Sequence, residues 1–172
     1  MLKNSSILVT GGTGSFGHNF VQLTLKKYNP KRLVIFSRDE LKQFELRGAL
    51  SKHKRAGSLR FFLGDIRDKS RLLTALNNVD YVIHCAALKQ IEAAEYNSQE
   101  CVKTNIIGTQ NVIEGCIDKN VKKVISLSTD KAVDPINLYG ATKLAADKLT
   151  ISSNLISVHK DTIFSVVRYG NV

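Results

Sequence analysis

Proline is almost missing from this chain: two occur in 172 residues. No low-complexity run and no internal repeat is present either, which excludes a proline-rich linker and a solenoid array. Apolar runs are short, and none approaches the roughly 20 residues that cross a bilayer. The first strand-like run starts at Ile7. That leaves no room for a signal peptide, so a cytoplasmic chain without a membrane partner is expected. Cysteine is sparse and odd in number: Cys85, Cys101 and Cys116. Wide spacing in apolar surroundings argues against a disulfide framework and reads as reduced core thiols. No residue pattern around them marks a catalytic thiol, and no metal site is expected. Acidic residues are outnumbered, 15 against 25 Lys and Arg, for a net charge of +10. The cluster Lys52-His53-Lys54-Arg55 has no aromatic interleaving, so it reads as a solvated loop and not a nucleic-acid patch. A basic balance also suits a protein whose ligands are anionic phosphates.

The length allows one domain with a sizeable core. Strands are predicted at Ile7–Thr10, Arg32–Phe36, Leu59–Leu63, Tyr81–His84, Lys123–Ser128 and Phe164–Arg168. Helices are predicted at Ser15–Lys27, Arg38–Leu50, Ser70–Leu76, Gln99–Lys119 and Leu138–Ile151. In the first of these, Phe16, Phe20, Leu23 and Lys27 recur at helical spacing. Regular alternation implies right-handed crossovers and an α/β, doubly wound parallel sheet of the Rossmann type. Ligands on such sheets lie at the carboxyl ends of the strands.

The residues just after each strand are the unusual ones. Strand one runs into Thr10-Gly11-Gly12-Thr13-Gly14-Ser15-Phe16-Gly17. One glycine makes the tight turn, one admits a diphosphate, and one lets the helix pack on the strand. The helix start then offers N–H groups and a positive dipole end to phosphate. After strand two, Ser37-Arg38-Asp39-Glu40 places no acid at the strand end to grip a ribose 2′-hydroxyl. Ser and Arg there suit a 2′-phosphate, hence NADP, while Ser37 and Asp39 also suit capping of the next helix. After strand three, Asp65-Ile66 offers a carboxylate and an N–H to an adenine edge, or simply a turn. After strand four, Cys85-Ala86-Ala87 is small enough for a close ligand, and Lys89 is a cation for substrate or one more surface lysine. His84 reads as a packed structural histidine. After strand five come Ser128-Thr129-Asp130-Lys131, and then Tyr139 and Lys143 at Tyr-x-x-x-Lys spacing. Residues four apart share a helix face, and an ammonium beside a phenol lowers its pKa toward use as a base. The alternative for Asp130 and Lys131 is that they pair with each other.

Together these residues resemble the extended short-chain dehydrogenase/reductases that act on nucleotide sugars. Longer matches narrow the resemblance: Ser37–Lys42, Ala86–Lys89, Ala94–Asn97, Lys103–Asn105, Leu127–Ala132, Asn137–Lys143 and Val167–Val172. They look like the inverting UDP-N-acetylglucosamine 4,6-dehydratases, hydro-lyases that open the pseudaminic acid route to flagellin glycosylation. Hexose 4,6-dehydratases usually carry Glu where this chain has Lys131, and retaining, membrane-anchored relatives tend to carry Met in place of Tyr139.

The resemblance implies NADP contacts from Gly11, Thr13, Gly14, Ser15, Phe16, Gly17, Ser37, Arg38, Asp39, Glu40, Leu41, Lys42, Asp65 and Ile66. It adds Cys85 (often Ala in the family), Ala86, Lys89, Asn105, Tyr139 and Lys143 to that set. Lys89, Thr129 and Asn171 are implied to contact the sugar nucleotide, UDP-N-acetylglucosamine. Lys131 is the implied base, its pKa depressed by burial or a cationic neighbour, with Asp130 and Tyr139 as partners. Asp130, if protonated, would assist loss of the carbon-6 hydroxyl. Homo-oligomers through helices of this half are implied too, with Gln99–Lys119 as the contact surface by analogy. Family members run to nearly twice this length, so residues 1–172 are expected to be the cofactor domain of a larger enzyme, with weak or no turnover alone. Two other readings stay open: a nucleotide-sugar 4-epimerase, which Lys131 disfavours, and a non-catalytic NADP-binding module.

Overall fold

A computed structural model describes residues 2–156 and 161–170. One of its two central strands is β1, Ser6–Thr10, buried at every position. A strand covered on both faces has to be apolar throughout, which Ile7-Leu8-Val9 provides. The others are β2 (Arg32–Ser37), β3 (Leu59–Leu63), β4 (Tyr81–His84), β5 (Lys123–Thr129) and β6 (Ile163–Tyr169). They form one sheet in the order β3-β2-β1-β4-β5-β6, with every neighbouring pair parallel. The winding reverses between β1 and β4, and a crevice opens above the carboxyl ends at such a reversal.

Seven helices flank the sheet among the described residues: α1 (Ser15–Lys27), α2 (Glu40–Leu50), α3 (Lys69–Ala75), α4 (Ile91–Tyr96), α5 (Ser98–Val102), α6 (Gly108–Asp118) and α7 (Leu138–Ile156). Alternate strand residues feed two cores. Ile7, Val9, Leu33 and Ile35 pack with Val21, Leu25, Leu46 and Leu50 of α1 and α2. Leu8, Val34, Phe36 and Val82 pack with Leu72, Val112 and Cys116 of α3 and α6. Each of these buried aliphatic side chains contributes about 2 kcal/mol, so both faces hold the strand ends in fixed register. No helix among the described residues is long and apolar enough to cross a membrane.

The predicted elements are present, with physical differences at some of them. The stripe that α1 buries is Gly17, Val21, Thr24 and Leu25, whereas Phe16 and Leu23 are 40% and 47% exposed. The helix predicted from Arg38 starts at Glu40, because the Asp39 side chain accepts from the Lys42 N–H and caps it. The helix predicted over Gln99–Lys119 starts at Ser98 and is widened by a π-helical turn at Lys103–Ile107. Short α4 was not anticipated, since six residues give too little periodicity to read. The last helix runs on to Ile156.

Candidate active site

Gly11 sits at φ +64°, and a Cβ there would lie 2.9 Å from the backbone of Ala86. At Gly17 a Cβ would lie 2.5 Å from the Gly12 Cα. The turn from β1 is thus pressed against the loop after β4 on one side and against α1 on the other. Gly14 caps α1 with no side-chain hydrogen bond, and the first turn holds no acid. The free N–H groups and positive helix end face a cleft of about 1190 Å³ lined by Gly11, Thr13, Gly14, Ser15, Phe16 and Gly17. A tight turn that no side chain could enter without displacing backbone, with uncapped donors facing the cleft, fits a dinucleotide diphosphate.

The ends of β2 and β3 are tied together by Gln43. Its amide donates to the Ser37 carbonyl and hydroxyl, both at 3.0 Å, and to the Phe62 carbonyl at 2.9 Å. Sequence reading missed Gln43, and no local pattern marks it, because the strand ends it ties together meet only in the fold. The Asp39 carboxyl is held low, chiefly by the Lys42 N–H that it caps. Arg38 lies 3.7 Å from Asp65, which Arg67 also grips at 2.7 Å. Burial pushes the Asp65 carboxyl up, but Arg67 and Arg38 outweigh it and leave it below its ordinary value. Ser37, Arg38, Asp39, Lys42, Asp65 and Ile66 all line the cleft, whereas Glu40 and Leu41 are exposed outside its wall.

At β4 a buried relay fixes the backbone. The Thr10 hydroxyl accepts from the N–H groups of Cys85 and Ala86 at 3.1 and 3.2 Å, so it donates to His84 Nδ1 at 2.7 Å. Thr109 donates to the Asn105 carbonyl at 2.7 Å, so it accepts from His84 Nε2–H at 3.0 Å. These bonds assign the tautomer. Burial, with some help from Lys143, pushes His84 down to about 3, which makes it the packed structural histidine anticipated. Burial likewise pushes the Cys85 thiol up to about 12, with Lys143 opposing, so it remains protonated.

Asn105 sits in the π-helical turn and is 1% exposed. Its side chain brackets Leu88, accepting from the N–H at 2.8 Å and donating to the carbonyl at 2.9 Å. A further bond to Thr142 Oγ1 at 3.0 Å anchors this loop to α7. Asn105 therefore lies beneath the cleft and acts through the loop that carries Cys85, Ala86 and Lys89 into its wall.

At β5 a 3-10 turn, Asp130–Ala132, follows the strand. The Thr129 hydroxyl and the Lys131 N–H both donate to Asp130 Oδ1 at 2.9 Å, and Lys131 Nζ reaches it at 3.3 Å. The Thr129 bond, then the Lys131 bond, hold the Asp130 carboxyl below its usual range. The two residues do pair, and Asp130 is ionised rather than poised as an acid. Lys131 and Thr129 line the cleft with Tyr139, whereas Asp130 is not part of its wall.

The first turn of α7, which carries Tyr139, is pinned from outside. Leu138 N donates to Glu95 Oε1 at 2.7 Å, and Gly140 N to Asn137 Oδ1 at 2.8 Å. Burial raises the Tyr139 phenol, against a hydrogen bond shared with Thr129 that lowers it. The expected lowering by Lys143 is not what this geometry gives. Lys143 is 3% exposed, its Nζ donates to the Leu127 carbonyl at 2.6 Å, and it lies under the cleft rather than in its wall. A desolvated ammonium held by a carbonyl leaves the phenol to burial and to Thr129.

Tyr169 is a wall residue that sequence reading passed over: its ring stacks on Phe16 with centroids 6.3 Å apart. Asn171 lies outside the described residues. No group of three or more His, Cys, Asp or Glu among the described residues could hold a metal ion.

The model for the family described as polysaccharide biosynthesis protein matches residues 7–172. The chain belongs to that family. It is 54% identical over its full length to an inverting UDP-N-acetylglucosamine 4,6-dehydratase of Campylobacter jejuni (strain 81-176), of which it covers 50%. It is 43% identical, again over the full chain and 50% of the relative, to a UDP-glucose 4-epimerase of Rickettsia bellii (strain OSU 85-389). Among solved structures, Pen from Bacillus thuringiensis superimposes with a TM-score of 0.95 at 42% identity, covering 99% of this chain and 53% of that one. MoeE5 in complex with UDP-glucose and NAD gives a TM-score of 0.77 at 26% identity, over 95% of this chain and 52% of that one. The chain therefore spans about half the length of the relatives it matches.

Proposed function

We propose that this chain is the cofactor-holding half of an NADP-dependent 4,6-dehydratase that acts on UDP-N-acetylglucosamine and inverts carbon 5. The observation that carries the proposal is the meeting of Lys131 and Tyr139 in one cleft with the uncapped glycine turn. The high identity to a relative of that name supports it. The turn at Gly11 and Gly17 would hold the diphosphate, and the cationic Arg38 and Lys42 at the end of β2 would suit a 2′-phosphate, which supports NADP over NAD. A nicotinamide bound there would supply a hydride acceptor for carbon 4 and a hydride donor for carbon 6.

The residues handle the protons. The 4-hydroxyl proton leaves through Tyr139, whose phenol, kept protonated by burial, releases its own proton to solvent as it takes up the substrate's. The ketone so formed acidifies the carbon-5 hydrogen, which Lys131 removes. Lys131 first passes a proton to Asp130, 3.3 Å away, and the freed amine, which lines the cleft, takes the carbon-5 proton and hands it to the departing carbon-6 hydroxyl as water leaves. Return of a proton to the opposite face inverts carbon 5, and the cofactor ends as it began. The product is a 4-keto-6-deoxy sugar nucleotide on the way to pseudaminic acid, made in the cytoplasm by a homo-oligomer.

The test is mass spectrometry of UDP-N-acetylglucosamine after incubation with the longest coded form of the protein. A product lighter by one water, carrying one solvent deuteron at carbon 5 in D2O, is expected. An isomer of unchanged mass would indicate an epimerase, and no conversion at all a binding module. In the Lys131→Ala form, product falls at least about a hundredfold, the usual contribution of a positioned base, while cofactor binding stays. The 172-residue chain alone should bind NADP with weak turnover.

A further inference from the structure

Lys143 and Asp147 stand one turn apart on the inner face of α7, 3% and 4% exposed. Arg168 of β6 donates to Asp147 Oδ2 at 2.8 Å. The other carboxylate oxygen, Oδ1, is buried without a hydrogen-bond partner. A carboxylate serving only to hold Arg168 would gain from pairing both oxygens, because an unsatisfied buried acceptor costs about 1–3 kcal/mol. The Lys143 ammonium has the opposite charge, and it keeps donors beyond the one given to Leu127.

We propose that Asp147 is a positioning residue: a buried counter-charge that keeps the Lys143 side chain an ammonium seated beneath the cleft, with Arg168 setting how strongly that charge is felt. The groups around this pair are His84 and Cys85 at the end of β4, Tyr139 on α7, and Arg168 and Tyr169 on β6. Of these and Asp147, only Asp147 has a carboxyl side chain. Burial draws Lys143 below its ordinary value, and Asp147 opposes that shift. The role at the cofactor rests on the function proposed above, whereas the charge coupling does not.

Isotope-labelled lysine followed by NMR across a pH titration of the intact chain tests the coupling. Asp147→Asn keeps the shape and removes the charge, so the Lys143 midpoint should fall by about one unit or more. Arg168→Gln removes the competing cation and should raise it, and Asp147→Glu should restore the wild-type direction. Opposite shifts for the two charge variants are the result that repacking of the helix would not produce. Unchanged midpoints, or shifts of the same sign, overturn the proposal. Should Asp147→Asn fail to fold, Arg168→Gln decides alone: a rise upholds the coupling, and no rise overturns it. NADP affinity adds a second reading, with Asp147→Asn losing about tenfold more between pH 7 and pH 9 than wild type. A wild-type chain that binds no NADP would defeat the cofactor assignment and leave the titration to judge Asp147.

Discussion

His84 shows how one side chain holds a nucleotide crevice in shape without touching a ligand. Its two ring nitrogens connect Thr10 on β1 to Thr109 on α6, and Thr10 in turn takes the N–H groups of Cys85 and Ala86. The arrangement needs a neutral ring. The folded value, about 3, lies below the ordinary 6.5, so the unfolded chain binds this proton more readily. Its contribution is therefore complete above pH 6.5 and is lost as pH falls toward 3, by up to about 1.4 kcal/mol per unit. Paired carboxylates such as Asp65 and Asp80 have ordinary values near 3.8, so their losses begin lower. Urea unfolding between pH 7 and pH 5 should show a falling wild-type stability. In His84→Gln the slope over that interval should flatten, with lower stability at pH 7.

At the scale of elements, the start of α7 decides where Tyr139 points, and Glu95 of α4 holds that start. Removing this cap in Glu95→Ala should cost about 1 kcal/mol in chemical denaturation and loosen exchange of the Leu138 amide with solvent. What could be read from sequence at this scale follows from what periodicity records. Strands such as Ile7-Leu8-Val9 and Leu33–Phe36 announce themselves by unbroken apolar runs, and the glycine turn by its spacing. The Tyr139 and Lys143 spacing announces a shared helix face, but not that one residue opens on the cleft while the other lies beneath it. That difference comes from β5, whose Leu127 carbonyl draws the ammonium down. Gln43, Glu95 and the π-helical turn around Asn105 were illegible for the same reason. Each acts on a partner distant in sequence, and a local pattern carries no trace of it.

For the molecule as a whole, the cleft has two unlike ends. One is basic and exposed, at Arg38 and Lys42. The other is lined by the half-buried Tyr139 and Lys131 and by Tyr169. A ligand reaching from end to end clamps both halves of the sheet, so binding should raise thermal stability by mass action. NADP should raise the melting temperature of the intact chain more than NAD at equal concentration. Arg38→Ala should erase that difference by weakening NADP about tenfold, and scanning calorimetry with each dinucleotide checks it.

The sheet order also bears on how the polypeptide is made. β1 leaves a ribosome before either of its neighbours but finishes between β2 and β4. Thr10 waits for His84, 74 residues later in the chain. At typical elongation rates that interval lasts about 4–15 s, during which one flank of the nascent first strand stays bare. Synthesis interrupted within this window would leave a sticky hydrophobic ribbon and half a crevice, a natural client for chaperones.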